Sequence, residues 1–248
     1  MTLPLYKAPA LFLADCHLPL MRTANRDRQI ETVVRFLKEQ GEQAESIFLD
    51  GDLFDFWFEW RQSVPGGSFR VLAELHRLVK AGKRIVYLAG NHDGHLGRFL
   101  TDEVGLEISR EPLDVEIAGQ KIHLIHGDGL APSDRGYRIL RGLVRWKPTE
   151  AIFRLVHPDF GIWFAHRLSG YSRHHLSPQN DFGAEPYREY AKSKLDSGLN
   201  YVVIGHRHYS EFVGHQNGGY IAIGDWMNSG SYGYLGNDGR MQLRFFKE

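Results

Sequence analysis

Sulfur chemistry is almost missing from this chain. Cys16 is the one cysteine among 248 residues, which excludes an internal disulfide and suits a reducing compartment. Flanked by Asp15 and His17 after an apolar run, it reads as a packing residue. The chain also lacks any apolar run long enough to span a bilayer, and its N-terminus lacks a basic-then-apolar leader. A cytoplasmic protein is expected, with any membrane contact peripheral. An excess of one charge is missing as well: 30 basic residues balance 30 acidic ones, which removes the field that a nucleic-acid binder carries. No repeat or low-complexity tract is present, and nothing marks an obligate protein partner. A single domain, 1–248, carrying one large insertion is the expected organisation.

Histidine is what the chain has in quantity. There are 13, gathered in or near short motifs that end apolar runs. The central stretch is Phe48-Leu-Asp-Gly-Asp-Leu-Phe-Asp-Phe-Trp57, where an apolar run delivers Asp52 to the end of a buried strand. Asp15-Cys-His17, Gly90-Asn-His-Asp93, His126-Gly-Asp128 and Gly205-His-Arg-His208 end strand-like runs in the same way.

Ala10–Ala14, Ile47–Leu49 and Arg84–Ala89 read as buried strands, separated by helical spacing over about 26–40 and 69–80 that stops at Gly41 and Gly82. This alternation implies parallel strands covered by helices, with ligands beyond the carboxyl ends of the strands. The pattern then changes. Asp114–Ile117 and Lys121–Ile125 flank a turn and read as a hairpin delivering His126, and Tyr201–Ile204 leads to His206 and His208. With 211–215, 220–223 and 241–246 these strands should complete a second, mostly antiparallel sheet. The fold class is therefore α/β: two facing mixed β-sheets flanked by helices. Strand alternation would place Asp15 and His17 on one side, and His206 and His208 likewise.

Residues of about 130–199 fall outside this scheme. Between 130 and 176, eight Arg or Lys (135, 138, 141, 145, 147, 154, 167, 173) face three acids (134, 150, 159). Tyr137, Trp146, Phe153, Phe160, Trp163, Phe164 and Tyr171 crowd the same stretch. A helical cap inserted above the motif edge is expected.

At that edge the motifs would gather Asp15, His17, Asp52, Asn91, His126, His206 and His208. Carboxylate, imidazole and amide donors without thiolate suit Mn, Fe or Zn, with two divalent ions sharing Asp52 and Mn the expected metal. Such a pair would activate a bridging hydroxide for in-line attack on phosphorus. His92 should point off the metals toward substrate, stabilising developing charge or protonating the leaving oxygen, with Asp93 orienting it. Asp93 as a mere turn residue is the bland alternative, and Asp55 and Asp128 are left outside the ligand set.

Singly these motifs are weak. In this order, each after an apolar strand, they resemble the calcineurin-like metallophosphoesterase superfamily across 10–247 apart from the insertion. That resemblance implies an α/β/β/α sandwich, with one metal on Asp15, His17, Asp52 and His208 and the other on Asp52, Asn91, His126 and His206. Gly51-Asp-Leu-Phe-Asp-Phe-Trp57, His126-Gly-Asp-Gly-Leu130 with Tyr137 beyond it, and the basic-aromatic insertion are similar to the UDP-2,3-diacylglucosamine diphosphatases of lipid A synthesis. The narrower resemblance implies manganese-dependent hydrolysis of an acylated UDP-sugar at the inner membrane surface, releasing UMP and 2,3-diacylglucosamine 1-phosphate. Well-known members carry Arg where this chain has His92. Asn91, His92 and Tyr137 are the substrate contacts it implies, and Arg138, Arg141, Arg167 and Arg173 are added on charge. The alternatives are a phosphoesterase acting on another nucleotide diphosphate or phosphodiester, and a non-catalytic scaffold recruiting partners through the insertion.

Overall fold

Uniformly apolar runs form strands buried on both faces. A computed structural model describes residues 2–130, 146–164, 167 and 183–247. After β1 (Leu5–Tyr6), the strands β2 (Ala10–Leu13), β3 (Ser46–Asp50) and β5 (Arg84–Leu88) alternate with helices α1 (Arg26–Phe36) and α2 (Phe69–Lys80). The short β4 (Trp57–Phe58) pairs in parallel with β6 (Asp93–His95) in a separate ribbon. Next come β7 (Glu107–Ser109), the hairpin β8 (Leu113–Ile117) and β9 (Gln120–Ile125), and helices α3 (Lys147–Phe153) and α4 (Glu185–Asp196). The chain closes with β10 (Tyr201–Ile204), β11 (Glu211–His215), β12 (Gly218–Ala222), α5 (Trp226–Ser229), β13 (Ser231–Leu235) and β14 (Met241–Phe245).

Two six-stranded sheets result, ordered β14-β13-β2-β3-β5-β7 and β1-β8-β9-β10-β12-β11. The period of two along each strand sorts the side chains into layers. Leu11, Leu13, Ile47 and Leu49 pack under α1 and α2 with Ile30, Val33, Leu75 and Leu78. Their neighbours Phe12, Phe48, Val86 and Leu88 face the second sheet and meet Val115, Ile122, Leu124, Val203 and Ile221. On the far side Val202, Ile204, Tyr220 and Ala222 are covered by Tyr187, Ala191 and Leu195 of α4. The α/β/β/α sandwich follows from these faces. Each fully buried Phe or Leu contributes about 1.5–3 kcal/mol, and Phe48 belongs to the central layer where both sheets use it.

Three expectations need correcting. The second sheet is not mostly antiparallel: β1–β8, β9–β10 and β10–β12 are parallel, and antiparallel pairing is confined to β8–β9 and β11–β12. For β9–β10 the cause is α4, because a helix placed between the two strands returns the chain in the same direction. Residues 241–245 are not in the second sheet either. They pair with β13, a strand the pattern reading missed, and β13 runs antiparallel beside β2 in the first sheet. Finally, α4 lies inside the range 130–199 given to the cap, yet its apolar face is part of the sandwich.

Register brings the motifs to one edge. Leu13 pairs with Leu49 and Asp50 with Leu88, so the chain beyond β2, β3 and β5 emerges together. Ile125 pairs with Ile204, which sets His126 and the 205–208 turn side by side on the facing sheet. Among the described residues no helix is long and apolar enough to cross a membrane.

Candidate metal centre

Beyond the strand ends the backbone turns left-handed. Asp15, His17, Asp52, His206 and His208 have φ of 52°, 40°, 55°, 65° and 55°. Among the described non-glycine residues, only Ala118 and Gln216 share that conformation. Ala118 turns the β8–β9 hairpin and Gln216 the connection between β11 and β12. Left-handed backbone costs about 1–3 kcal/mol at a non-glycine residue and persists only where surroundings enforce it, and such residues cluster at functional sites. The expected extension through Asp15-Cys-His17 and His206-Arg-His208 therefore does not hold. The side chains still converge, and Cys16 is buried in the helix-side core as expected. Neighbouring loops enforce the turns: Asp15 N–H donates to the Gly51 carbonyl (3.2 Å), His17 N–H to the Asp52 carbonyl (2.9 Å) and His206 N–H to Asp15 Oδ2 (2.7 Å). Gly51 and Gly90 permit the approach, since a Cβ on Gly51 would strike the His126 ring and one on Gly90 the Asp52 carboxylate.

All seven expected ligands lie at this edge. His17 Nε2 is 3.2 Å from His208 Nε2, 3.6 Å from Asp15 Oδ1 and 3.8 Å from Asp52 Oδ2. Asn91 Oδ1 is 3.0 Å from His126 Nε2 and 2.9 Å from His206 Nδ1, and His126 Nε2 is 3.4 Å from Asp52 Oδ2. Atoms bound to one ion at about 2.1 Å lie about 3.0–3.4 Å apart; the second group is close to that spacing, and the first, at 3.2–3.8 Å, is slightly wider. Asp52 Oδ2 stands between the two groups.

The residues fit divalent metal. Asp15 and Asp52 are 0% and 1% exposed, and Asp15 Oδ1 has no hydrogen-bond partner. His126 Nδ1–H donates to the Asp50 carbonyl at 2.7 Å, a contact only an N–H can make, which turns Nε2 toward Asp52 Oδ2 and Asn91 Oδ1. Burial alone would lower the pKa of His126, but Asp52 and then Asp15 and Asp128 raise it well above its ordinary value. Burial would raise that of Asp52, while His126 and His92 hold it well below the usual carboxylate range. His206, buried beside His126, is pushed down to about 4. The pocket demands positive charge, and the free imidazole nitrogens face inward to bind it.

His92 stands beside the expected ligands: its Nε2 is 3.9 Å from Asp52 Oδ2 and its ring is edge-on to His17 at 4.7 Å. The orienting contact is the Asp55 carbonyl, which accepts from His92 Nδ1 at 2.7 Å. Asp93 does not orient His92. One of its oxygens accepts from the backbone N–H of Asp52 (3.1 Å) and Gly90 (2.8 Å), and the other from Tyr87 O–H (2.7 Å). Burial, then repulsion from Asp52, raises its pKa to about 6. Asp93 thus pins the loop that carries Asp52.

Other assignments lie farther out. Tyr137, Arg138, Arg141 and Arg173 lie outside the described residues, and Arg167 places its guanidinium over the Trp163 ring at 5.4 Å. Asp55 accepts from Leu20 N–H at 3.3 Å. The sequence reading missed Asp225, whose Oδ2 is 3.2 Å from His208 Nδ1. A signal existed, because Gly224-Asp225 ends the apolar run 220–223 just as Gly51-Asp52 ends 47–49. The carbonyls of Asp50 and Asp55 carry no such signal. Also missed was a ring of contacts in which His95 Nδ1 meets Glu150 at 2.9 Å while Arg154 contacts His95 Nε2 (2.9 Å) and Glu150 (2.6 Å).

Known proteins place this geometry in a family. The model of the calcineurin-like phosphoesterases matches residues 8–210. The UDP-2,3-diacylglucosamine hydrolase of Porphyromonas gingivalis is 28% identical over 239 residues, covering 89% of this chain and 91% of its own. That of Xanthomonas oryzae pv. oryzae is 28% identical over 242 residues, covering 92% and 96%. A solved archaeal phosphodiesterase shares the fold with a TM-score of 0.52 at 16% identity, over 96% of this chain and 100% of that one. Because the matched span holds both sheets' motif-bearing strands and all seven candidate ligands of the metal edge, the chain belongs to the calcineurin-like phosphoesterase family and is a metal-dependent hydrolase.

Proposed function

We propose that the chain hydrolyses the diphosphate of UDP-2,3-diacylglucosamine to UMP and 2,3-diacylglucosamine 1-phosphate with two divalent ions, manganese foremost. The observation that carries the reading is the pair of donor groups sharing Asp52 Oδ2, 3.8 Å from His17 Nε2 and 3.4 Å from His126 Nε2. Divalent ions held there supply Lewis acidity, which activates water and offsets charge on phosphoryl oxygens. Asp15 and Asp52 would offset only part of the charge of two dications, so an anionic substrate is still attracted. His92, with Nδ1 committed to the Asp55 carbonyl, turns Nε2 toward the donor groups, 3.9 Å from Asp52 Oδ2, where it would steady a phosphoryl oxygen or deliver a proton.

The substrate class rests on the names of the relatives and on the inserted segment. Trp146, Ile152, Leu155, Phe160, Trp163 and Phe164 are exposed there, an apolar surface suited to acyl chains or to the edge of a bilayer. Each methylene sheltered contributes about 0.8 kcal/mol, so a few carbons per chain would dominate affinity. On this reading the protein works in the cytoplasm at the inner membrane surface. His92, in place of the Arg of well-known members, favours a second reading, a soluble nucleotide diphosphate or phosphodiester.

Incubation with the diacylated substrate in ¹⁸O-water separates the two. UMP carrying the label is expected, with KM rising steeply as the acyl chains shorten. A deacylated UDP-glucosamine turned over as efficiently as the lipid would return the chain to the soluble class, and label found only in the sugar phosphate would reverse the attacked phosphorus.

A further inference from the structure

His208 is the loosely packed ligand of its group. Its side chain is 41% exposed, against 7% for His17 and 2% for His126. Stacking on His17, 4.9 Å away with 16° between planes, is kept when the ring flips about Cβ–Cγ, so it does not choose which nitrogen faces the site. What fixes that choice is Asp225 Oδ2 at Nδ1. Asp225 is itself fixed: it is 8% exposed, caps α5 by accepting from Met227 N–H at 2.7 Å, and accepts from the Asn228 amide.

Carboxylate backing distinguishes this imidazole. His126 and His92 are held through Nδ1 by neutral backbone carbonyls, those of Asp50 and Asp55. A carboxylate in that place both orients a ligating ring and makes it a stronger donor. The same side of the site already has the carboxylate of Asp15 where the other has the amide of Asn91. Both differences act in one direction.

We propose that Asp225 is a positioning residue that locks His208 onto the half-site formed with Asp15, His17 and Asp52, and thereby makes that half-site the tighter of the two. The inference rests on the two-ion reading of the preceding subsection. It concerns affinity and order of loading, not the chemical step.

Titration of the metal-free full chain with Mn²⁺ by calorimetry, alongside metal content by mass spectrometry, tests it. The wild type should bind two equivalents of unequal affinity. Asp225→Ser keeps an oxygen able to cap Met227 but is too short for His208. In that variant the tighter equivalent should weaken about 10–100-fold, the usual effect of losing a ligand's outer partner, while the weaker one stays in place. Asp225→Asn retains both the cap and an acceptor for Nδ1–H, and should recover most of the loss. Unchanged tight binding in Asp225→Ser, equal weakening of both equivalents, or an Asn variant no better than Ser would each overturn the proposal. A wild type that binds fewer than two equivalents instead sinks the two-ion reading, and the proposal falls with it.

Discussion

The metal edge and the inserted segment are held in opposite ways. Each candidate ligand at the edge follows a strand whose register is set by pairing on both sides, and Asp15 and His17 are tied to the 51–52 turn by main-chain hydrogen bonds. The described part of the insertion, 146–164, rests on side chains. Phe153 packs on Phe58 and Trp60 at 4.8 and 6.0 Å, Trp60 Nε1–H donates to the Val156 carbonyl at 2.9 Å, and the His95–Glu150–Arg154 ring ties α3 to β6. Aromatic residues left over from that contact face outward. Chemistry is thus built on sheet ends that cannot shift without breaking the ladder, whereas the surface offered to a larger molecule hangs from a few side-chain anchors and can adjust.

Breaking the edge at its centre should give the largest effect. Asp52→Ala removes the oxygen that both donor groups share, so metal content should fall for both and turnover should drop to background. A variant retaining either would refute the shared role. His92→Ala comes next. It leaves all seven ligands in place, so metal content should match the wild type while kcat falls about 10²–10⁴-fold, the range for a positioned acid or base. Metal lost from this variant would make His92 a ligand.

Tyr87→Phe probes the support beneath the edge. It strips a donor from Asp93 and an acceptor from Leu53 N–H, both buried. About 1–3 kcal/mol of stability should go, read as a lower urea midpoint at unchanged slope. A midpoint equal to the wild type would show that Asp93 needs no such partner.

The smallest effect is expected on the other side of the comparison. Arg154→Ala opens the ring that ties α3 to β6. Losing about 1 kcal/mol of hydrogen bonding should raise KM for the acylated substrate about fivefold and leave a small chromogenic phosphodiester unaffected. Equal losses on both would mean that the anchor supports the metal edge as well. Acid should act on the same ring. Burial lowers the His95 pKa below its ordinary 6.5 against the pull of Glu150, and Arg154 and Arg110 lower it further. Folding therefore favours the neutral ring, so this part of the stability is complete above 6.5 and is lost as pH falls through it. A pH-stability profile of His95→Gln identical to that of the wild type below pH 6.5 would exclude the coupling.

Whatever is carried by short range was legible along the chain. Apolar runs ending in Gly-Asp, Asn-His or His-x-His specify buried strands that stop at a polar turn, and the turn residues name the donor set: Asp15, His17, Asp52, Asn91, His126, His206 and His208. Periodicity was enough for α1, α2 and the first sheet's parallel core, because each of those elements carries its own pattern. Tertiary structure alone decided how the donors are aimed. His126 is set by a carbonyl 76 residues away, His92 by one 37 residues away and His208 by a carboxylate 17 residues on. Backbone carbonyls are the same in every residue, so no sequence pattern marks the ones that do this. The place of α4 on the second sheet, and of β13 and β14 in the first, were likewise settled only by which apolar face found cover. An amphipathic segment states that it must bury one side, and only the assembled sandwich says against what.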